Sequence, residues 1–97
     1  MADLSYISAV VLHTIASGRG YGFQVMEAAG LPSGTVYPAL RKLEKARLIR
    51  SQWEHAALAR AEQRPARRYY QITSDGEAAL AAAGQKYRFP ELARKGR

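Results

Sequence analysis

At 97 residues the chain has the length of one small domain, and much of its 47% hydrophobic content is alanine, which buries little surface per residue. A net charge of +7 points to an acidic partner, while the lack of cysteine excludes disulfides and thiolate metal sites and matches a reducing cytoplasm, the expected location. The apolar run Ile7 to Ile15 is broken by Ser8, His13 and Thr14 and is too short to span a bilayer, so neither a membrane anchor nor a signal peptide is expected.

Asp3 is placed to cap a first helix, in which Leu4, Ile7, Val11 and Ile15 recur at helical spacing while Val10 and Leu12 widen the stripe. Such a helix is apolar nearly all round. It is expected to be covered by its own domain and by a second copy, because so thin a core gains from a dimer interface. Gly18-Arg19-Gly20 ends it, Tyr21 to Ala29 reads as a short second helix with Phe23 and Met26 inward, and Gly30-Leu31-Pro32 is a turn.

The third helix begins between Ser33 and Thr35 and runs to about Ala46. With Thr35 as cap, Pro38 falls in the first turn, where its missing N–H costs nothing; with Ser33 as cap, one hydrogen bond is forfeited. Val36, Leu40 and Leu43 form its buried stripe, and Gly34, Thr35, Tyr37, Pro38, Arg41, Lys42 and Lys45 share the opposite face. A helix with an apolar back and a cationic front is suited to a polyanion. The charge distribution agrees, since residues 33–73 carry a net +6 while residues 1–32 carry −1.

Arg47 to Glu54 alternates as a strand with Ile49, Ser51 and Trp53 on one face, Trp53 being expected to pack. Its natural partner is Arg68 to Thr73, whose Tyr70 and Ile72 are expected to fill the core. The connection Glu54 to Arg67 is longer than an ordinary hairpin loop. Its piece His55 to Gln63 is helical in composition and reads either as a flexible wing or as one holding a helical turn. Ser74, reciprocated by Glu77, forms a capping box that opens an alanine-rich helix to about Gly84. The tail from Gln85 carries Tyr87, Phe89 and Leu92 around Pro90, as a loose arm or a segment that clasps a partner. The reading is a domain over 1–84 and a tail over 85–97, mostly α with a small β-hairpin (α+β), in the order of a winged helix-turn-helix.

In that fold the exposed face of the third helix can enter a major groove. Arg41 has the fork that binds guanine O6 and N7 together, Thr35 and Tyr37 offer hydroxyls, and Gly34 lets backbone come close. Ser33 can present the helix N-terminus to a phosphate, and Tyr21 starts the helix that crosses the DNA backbone. Arg64, Arg67 and Arg68 flank the wing; strand alternation lets one of the last two face DNA, and Arg67 is preferred. His13 and His55 lack partners spaced for a metal. With no nucleophile–base or carboxylate pair and no phosphate loop after a strand, neither an enzyme nor a cofactor is expected.

Gly20-Tyr21-Gly22-Phe23, the run Pro32-Ser33-Gly34-Thr35-Val36-Tyr37-Pro38-Ala39-Leu40, Leu43-Glu44, Leu48-Ile49 and Arg67-Arg68-Tyr69-Tyr70 leading into Thr73 together resemble the PadR-like transcriptional regulators, over roughly residues 4–84. The resemblance implies a homodimeric, bacterial-type repressor that binds double-stranded DNA at a palindromic operator. It also implies response to a small molecule, for which a small aromatic effector contacting Trp53, Tyr6 or Tyr87 is the candidate. Protein concentration and salt are expected to be the main controls. The alternative is a winged-helix protein-interaction or assembly module, which a cationic third helix disfavours; an RNA-binding winged domain is a third reading.

Overall fold

The computed structural model describes residues 4–93 and contains five helices and one two-stranded antiparallel sheet among them. α1 (Tyr6–Ala16) is capped by Ser5, whose Oγ accepts from the Ser8 N–H at 3.1 Å. Asp3, the expected cap, lies outside the described residues. α2 spans Gly22–Ala29, and its inward row is Gly22, Val25 and Ala28. The expectation that Phe23 points inward is corrected: it is 56% exposed. Residues 22, 25 and 28 recur every three positions, and their small size lets α2 lie close to its neighbours, which leaves Phe23 turned outward. Met26 is half-buried against the core.

α3 (Ser33–Lys45) corrects both capping alternatives. The cap is Pro32, held extended at φ −75° and ψ 160°, and its carbonyl accepts from Thr35 and Val36, each at 3.0 Å. Ser33 is therefore the first helical residue, and Pro38 lies beyond the first turn. Lacking an N–H, Pro38 cannot bond the Gly34 carbonyl. α3 ends in a Schellman turn: Arg47 stands in the left-handed region (φ 62°), its N–H reaching the Glu44 carbonyl while Leu48 N–H reaches the Leu43 carbonyl, both at 3.0 Å. Arg47 is thus a helix terminator, and β1 spans Ile49–Trp53, shorter than the Arg47 to Glu54 strand expected.

β1 pairs with β2 (Arg68–Ile72) so that Ile49 faces Ile72, Ser51 faces Tyr70 and Trp53 faces Arg68. Ile49 and Ile72 join the core, with Tyr70 packed at its edge. Trp53, expected to pack, is 63% exposed because the hairpin has by then run past the core. The free edge of β2 is occupied by the residues before α2, through a Tyr21–Tyr69 bridge and a Tyr70 N–H to Gly20 carbonyl bond of 2.6 Å.

The wing holds a helix, α4 (Ala56–Ala61), capped by the His55 imidazole, whose Nδ1 accepts from Ala57 N–H. Gln63 (φ 56°) closes α4 in a second Schellman turn, its N–H bonding the Arg60 carbonyl and Arg64 N–H the Ala59 carbonyl. α5 (Ser74–Gly84) is capped one residue earlier than the Ser74 capping box predicts. Thr73 Oγ1 accepts from Gly76 N–H at 3.0 Å and donates to the Arg47 carbonyl at 2.8 Å, joining α5 to the α3 terminator. A Cβ on Gly76 would stand 2.0 Å from the Leu48 carbonyl oxygen, so α5 reaches this turn only with glycine there.

The core gathers Val11, Leu12, Ile15, Val25, Val36, Leu40, Leu43, Leu48 and Ile49, with α1 at its centre. Seven α1 residues are buried within the single chain, under cover that the chain itself supplies. Part of it comes from the tail. Tyr87 donates its hydroxyl to the Leu4 carbonyl at 3.0 Å and meets Tyr6 edge-on, Phe89 stacks on His13 with centroids 4.6 Å apart, and Ala93 N–H bonds the Ala28 carbonyl. Burial holds the His13 pKa below its ordinary 6.5. No helix among the described residues is long and apolar enough to cross a membrane.

Candidate nucleic-acid interface

The exposed face of α3 is set by its buried stripe. Val36, Ala39, Leu40 and Leu43 face the core, which turns Ser33, Gly34, Tyr37, Pro38, Arg41, Lys42 and Lys45 to solvent and leaves Thr35 half-buried. Among the described residues, Arg41, Lys42 and Lys45 take part in no ion pair. The one carboxylate of α3, Glu44, is turned toward the hairpin, where it accepts from the Ser51 hydroxyl and from Arg68 Nη2. The helix therefore presents positive charge without an internal counterion. No side chain caps its N-terminus, which lies on the same exposed side as Ser33 and Gly34.

The start of α2 and the hairpin bring two expected contact residues together. The Arg67 guanidinium lies 4.2 Å from the centroid of the Tyr21 ring, which itself meets Tyr69 edge-on. Tyr37 lies across the first turn of α2, where a Cβ on Gly22 would come within 2.5 Å of its hydroxyl oxygen. Between α2, α3 and the wing opens a cleft of about 720 Å³, whose walls include Phe23, Tyr37, Arg41, Trp53, Arg67 and Arg68. Its described lining contains four arginines and no acid.

Arg64, expected beside the DNA, is half-buried and occupied elsewhere. Its two terminal nitrogens grip Glu54 Oε1 and Oε2 at 2.6 and 2.8 Å, and Glu54 Oε1 also accepts from Arg67 N–H. The Arg64 hydrogen bond is the main reason the Glu54 pKa is lowered to about 2. Arg64 thus closes the base of the wing, where the Glu54 N–H to Arg67 carbonyl bond of 2.7 Å continues the ladder beyond β1 and β2.

Glu44, Ser51, Phe23 and Trp53 also belong to this region, although the sequence reading gave none of them a place in it, and Arg68, passed over there in favour of Arg67, lines the cleft as well. Strand alternation held a usable signal for Arg68, which shares the α3-facing side of β2 with Tyr70 and Ile72. Tyr6 and Tyr87, considered for an effector, are engaged in packing at the other side of α1. No group of three or more His, Cys, Asp or Glu residues able to hold a metal occurs among the described residues.

Solved structures of similar shape include bacterial transcription regulators. A PadR family transcription regulator from Clostridium difficile R20291 superposes with a TM-score of 0.72 at 24% identity, covering 84% of this chain and 86% of that one. A PadR-like transcriptional regulator from Bacillus cereus gives 0.67 at 24% identity over 82% and 79%. A Streptococcus transcriptional regulator gives 0.65 at 26% over 82% and 79%. No curated protein sequence gives a significant match. The sequence profile of the transcriptional regulator PadR-like family matches residues 11–82, which spans α1 from its middle, α2, α3, the wing and most of α5, and the chain belongs to that family.

Proposed function

We propose that this regulator binds double-stranded DNA as a homodimer at a palindromic operator and represses transcription there. The observation that carries the reading is the solvent face of α3, where Arg41, Lys42 and Lys45 stand exposed with no ion-pair partner among the described residues, on a helix whose N-terminus no side chain caps. In the proposed complex α3 lies in the major groove. Arg41 addresses a base edge, Thr35, Tyr37, Lys42 and Lys45 meet base or phosphate, and Ser33, Gly34 and Pro38 carry the helix start close to the backbone. Tyr21 and Arg67 form a second grip on phosphate, and Arg64 serves by holding the wing closed.

The dimer is supported by family membership and by the exposed face of α5, where Ala78, Ala81 and Ala82 leave room for close approach of a second helix. Occupancy is set chiefly by protein concentration and salt, and a small aromatic effector is a secondary element of the proposal. Titrating labelled duplex DNA from low to high salt tests the DNA reading. Affinity for duplex should fall steeply with salt, and single-stranded RNA should compete poorly. Weak, salt-insensitive binding to duplex would favour the protein-interaction alternative.

A further inference from the structure

Glu44, Ser51 and Arg68 come from three different elements and meet at one point. Arg68 Nε donates to Ser51 Oγ at 2.9 Å, Arg68 Nη2 reaches Glu44 Oε1 and Oε2 at 3.2 and 3.3 Å, and the Ser51 hydroxyl donates to Glu44 Oε2. Arg68 is further flanked by the Trp53 and Tyr70 rings, with centroids 5.8 and 5.9 Å away. At the base of the hairpin, Ile49 and Ile72 are fixed in the core, and the chain leaves α3 through the Arg47–Leu48 turn. Above that layer the wing and α3 are separated by the open, arginine-lined cleft. The hairpin is therefore a lever anchored at its base, and the network ties it to the recognition helix part of the way along.

We propose that this Glu44–Ser51–Arg68 network is a specificity-determining brace, which fixes the distance between wing and recognition helix and so lets the base contacts of α3 form in register with the phosphate contacts of the wing. This rests on the DNA-binding reading above. None of the three residues needs to touch DNA. An exposed ion pair contributes little to stability, whereas a shared carboxylate with a bridging hydroxyl fixes direction as well as distance. Without the brace the wing still grips phosphate, but over a range of positions, and a correct base sequence is no longer favoured by a rigid fit.

The test uses the full chain with Glu44→Ala, Ser51→Ala and Arg68→Lys, the last keeping the charge and losing the planar fork. Binding is measured on the preferred duplex and on a scrambled one, beside thermal unfolding. The brace predicts that each variant lowers the ratio of the two affinities by about five- to tenfold. It also predicts that Glu44→Ala and Ser51→Ala bind scrambled duplex within about twofold of the parent. An unchanged ratio in Glu44→Ala and Ser51→Ala overturns it, as does full retention of the ratio in Arg68→Lys. A second readout needs no DNA: Trp53, the only tryptophan, sits at the end of β1 and reports wing motion through its nanosecond anisotropy decay. Faster local motion in Glu44→Ala and Ser51→Ala supports the mechanical tie between wing and α3, and identical decays in the folded variants contradict the brace; a parent that does not discriminate between duplexes overturns the DNA-reading account on which its role in specificity rests.

Discussion

Arg41 and Arg67 carry the same charge in different surroundings, and the proposed complex gives them different work. Arg41 projects from the middle of α3, where a guanidinium can address a base edge, whereas the Arg67 guanidinium stands over the Tyr21 ring beside the wing. Arg41→Ala should cost about 1–3 kcal/mol on the preferred duplex and relax preference at one position per half-site. Arg67→Ala should weaken all duplexes alike and reduce the salt slope by about 1. Binding titrations of both variants over a panel of single-base substitutions check the assignment, and identical sequence profiles would refute it. Two backbone positions give opposite stability effects. Arg47→Gly relieves a left-handed conformation and should raise stability by about 1 kcal/mol, or roughly 4–8 °C in Tm. Gly76→Ala forces a methyl into the Leu48 carbonyl and should lower stability by about 2–3 kcal/mol. Thermal unfolding followed by circular dichroism measures both.

At the scale of elements, the wing is closed by Glu54, whose carboxylate is held by Arg64 and by Arg67 N–H. Because its folded pKa is depressed, its contribution is complete above the ordinary value of 4.5 and is lost as pH falls from there toward about 2. Trp53 emission should report loosening of the wing over that range, and Glu54→Gln at neutral pH should reproduce the change; a variant with parental emission would show that the clamp does not order the wing. The helices and hairpin were legible because their apolar residues recur at 3.6 and 2.0 spacing, and the exposed α3 face followed from Val36, Leu40 and Leu43 alone. The caps were displaced by one residue or more because Pro32 and Thr73 precede Ser33 and Ser74, and adjacent candidates cannot be ranked without knowing what the turn touches. α4 stayed undecided since its terminator is Gln63, and β1 was read as too long since Arg47 terminates α3: neither residue announces a left-handed turn as glycine does. The brace was hidden for another reason. Glu44 and Arg68 are 24 positions apart, and local periodicity contains no information on which charges meet.

Across the whole molecule, the tail strap lends a thin core extra cover by laying Tyr87 and Phe89 against α1. His13 beneath Phe89 has its pKa lowered by burial, so its neutral form favours folding. Stability from this site is present above 6.5 and declines as pH drops below it toward the lower folded value. Phe89→Ala should therefore lower Tm at neutral pH and flatten the Tm profile between about pH 7 and 5. Unchanged pH dependence would show that the strap does not govern His13. The central claim is that α3 reads bases while the wing fixes the protein on the backbone, in two copies related by symmetry. Selection of bound duplexes from a random pool tests it most directly. The account predicts enrichment of two inverted half-sites with centres about 10 base pairs, or 34 Å, apart; an unenriched pool, or a single half-site without its inverted mate, would contradict it.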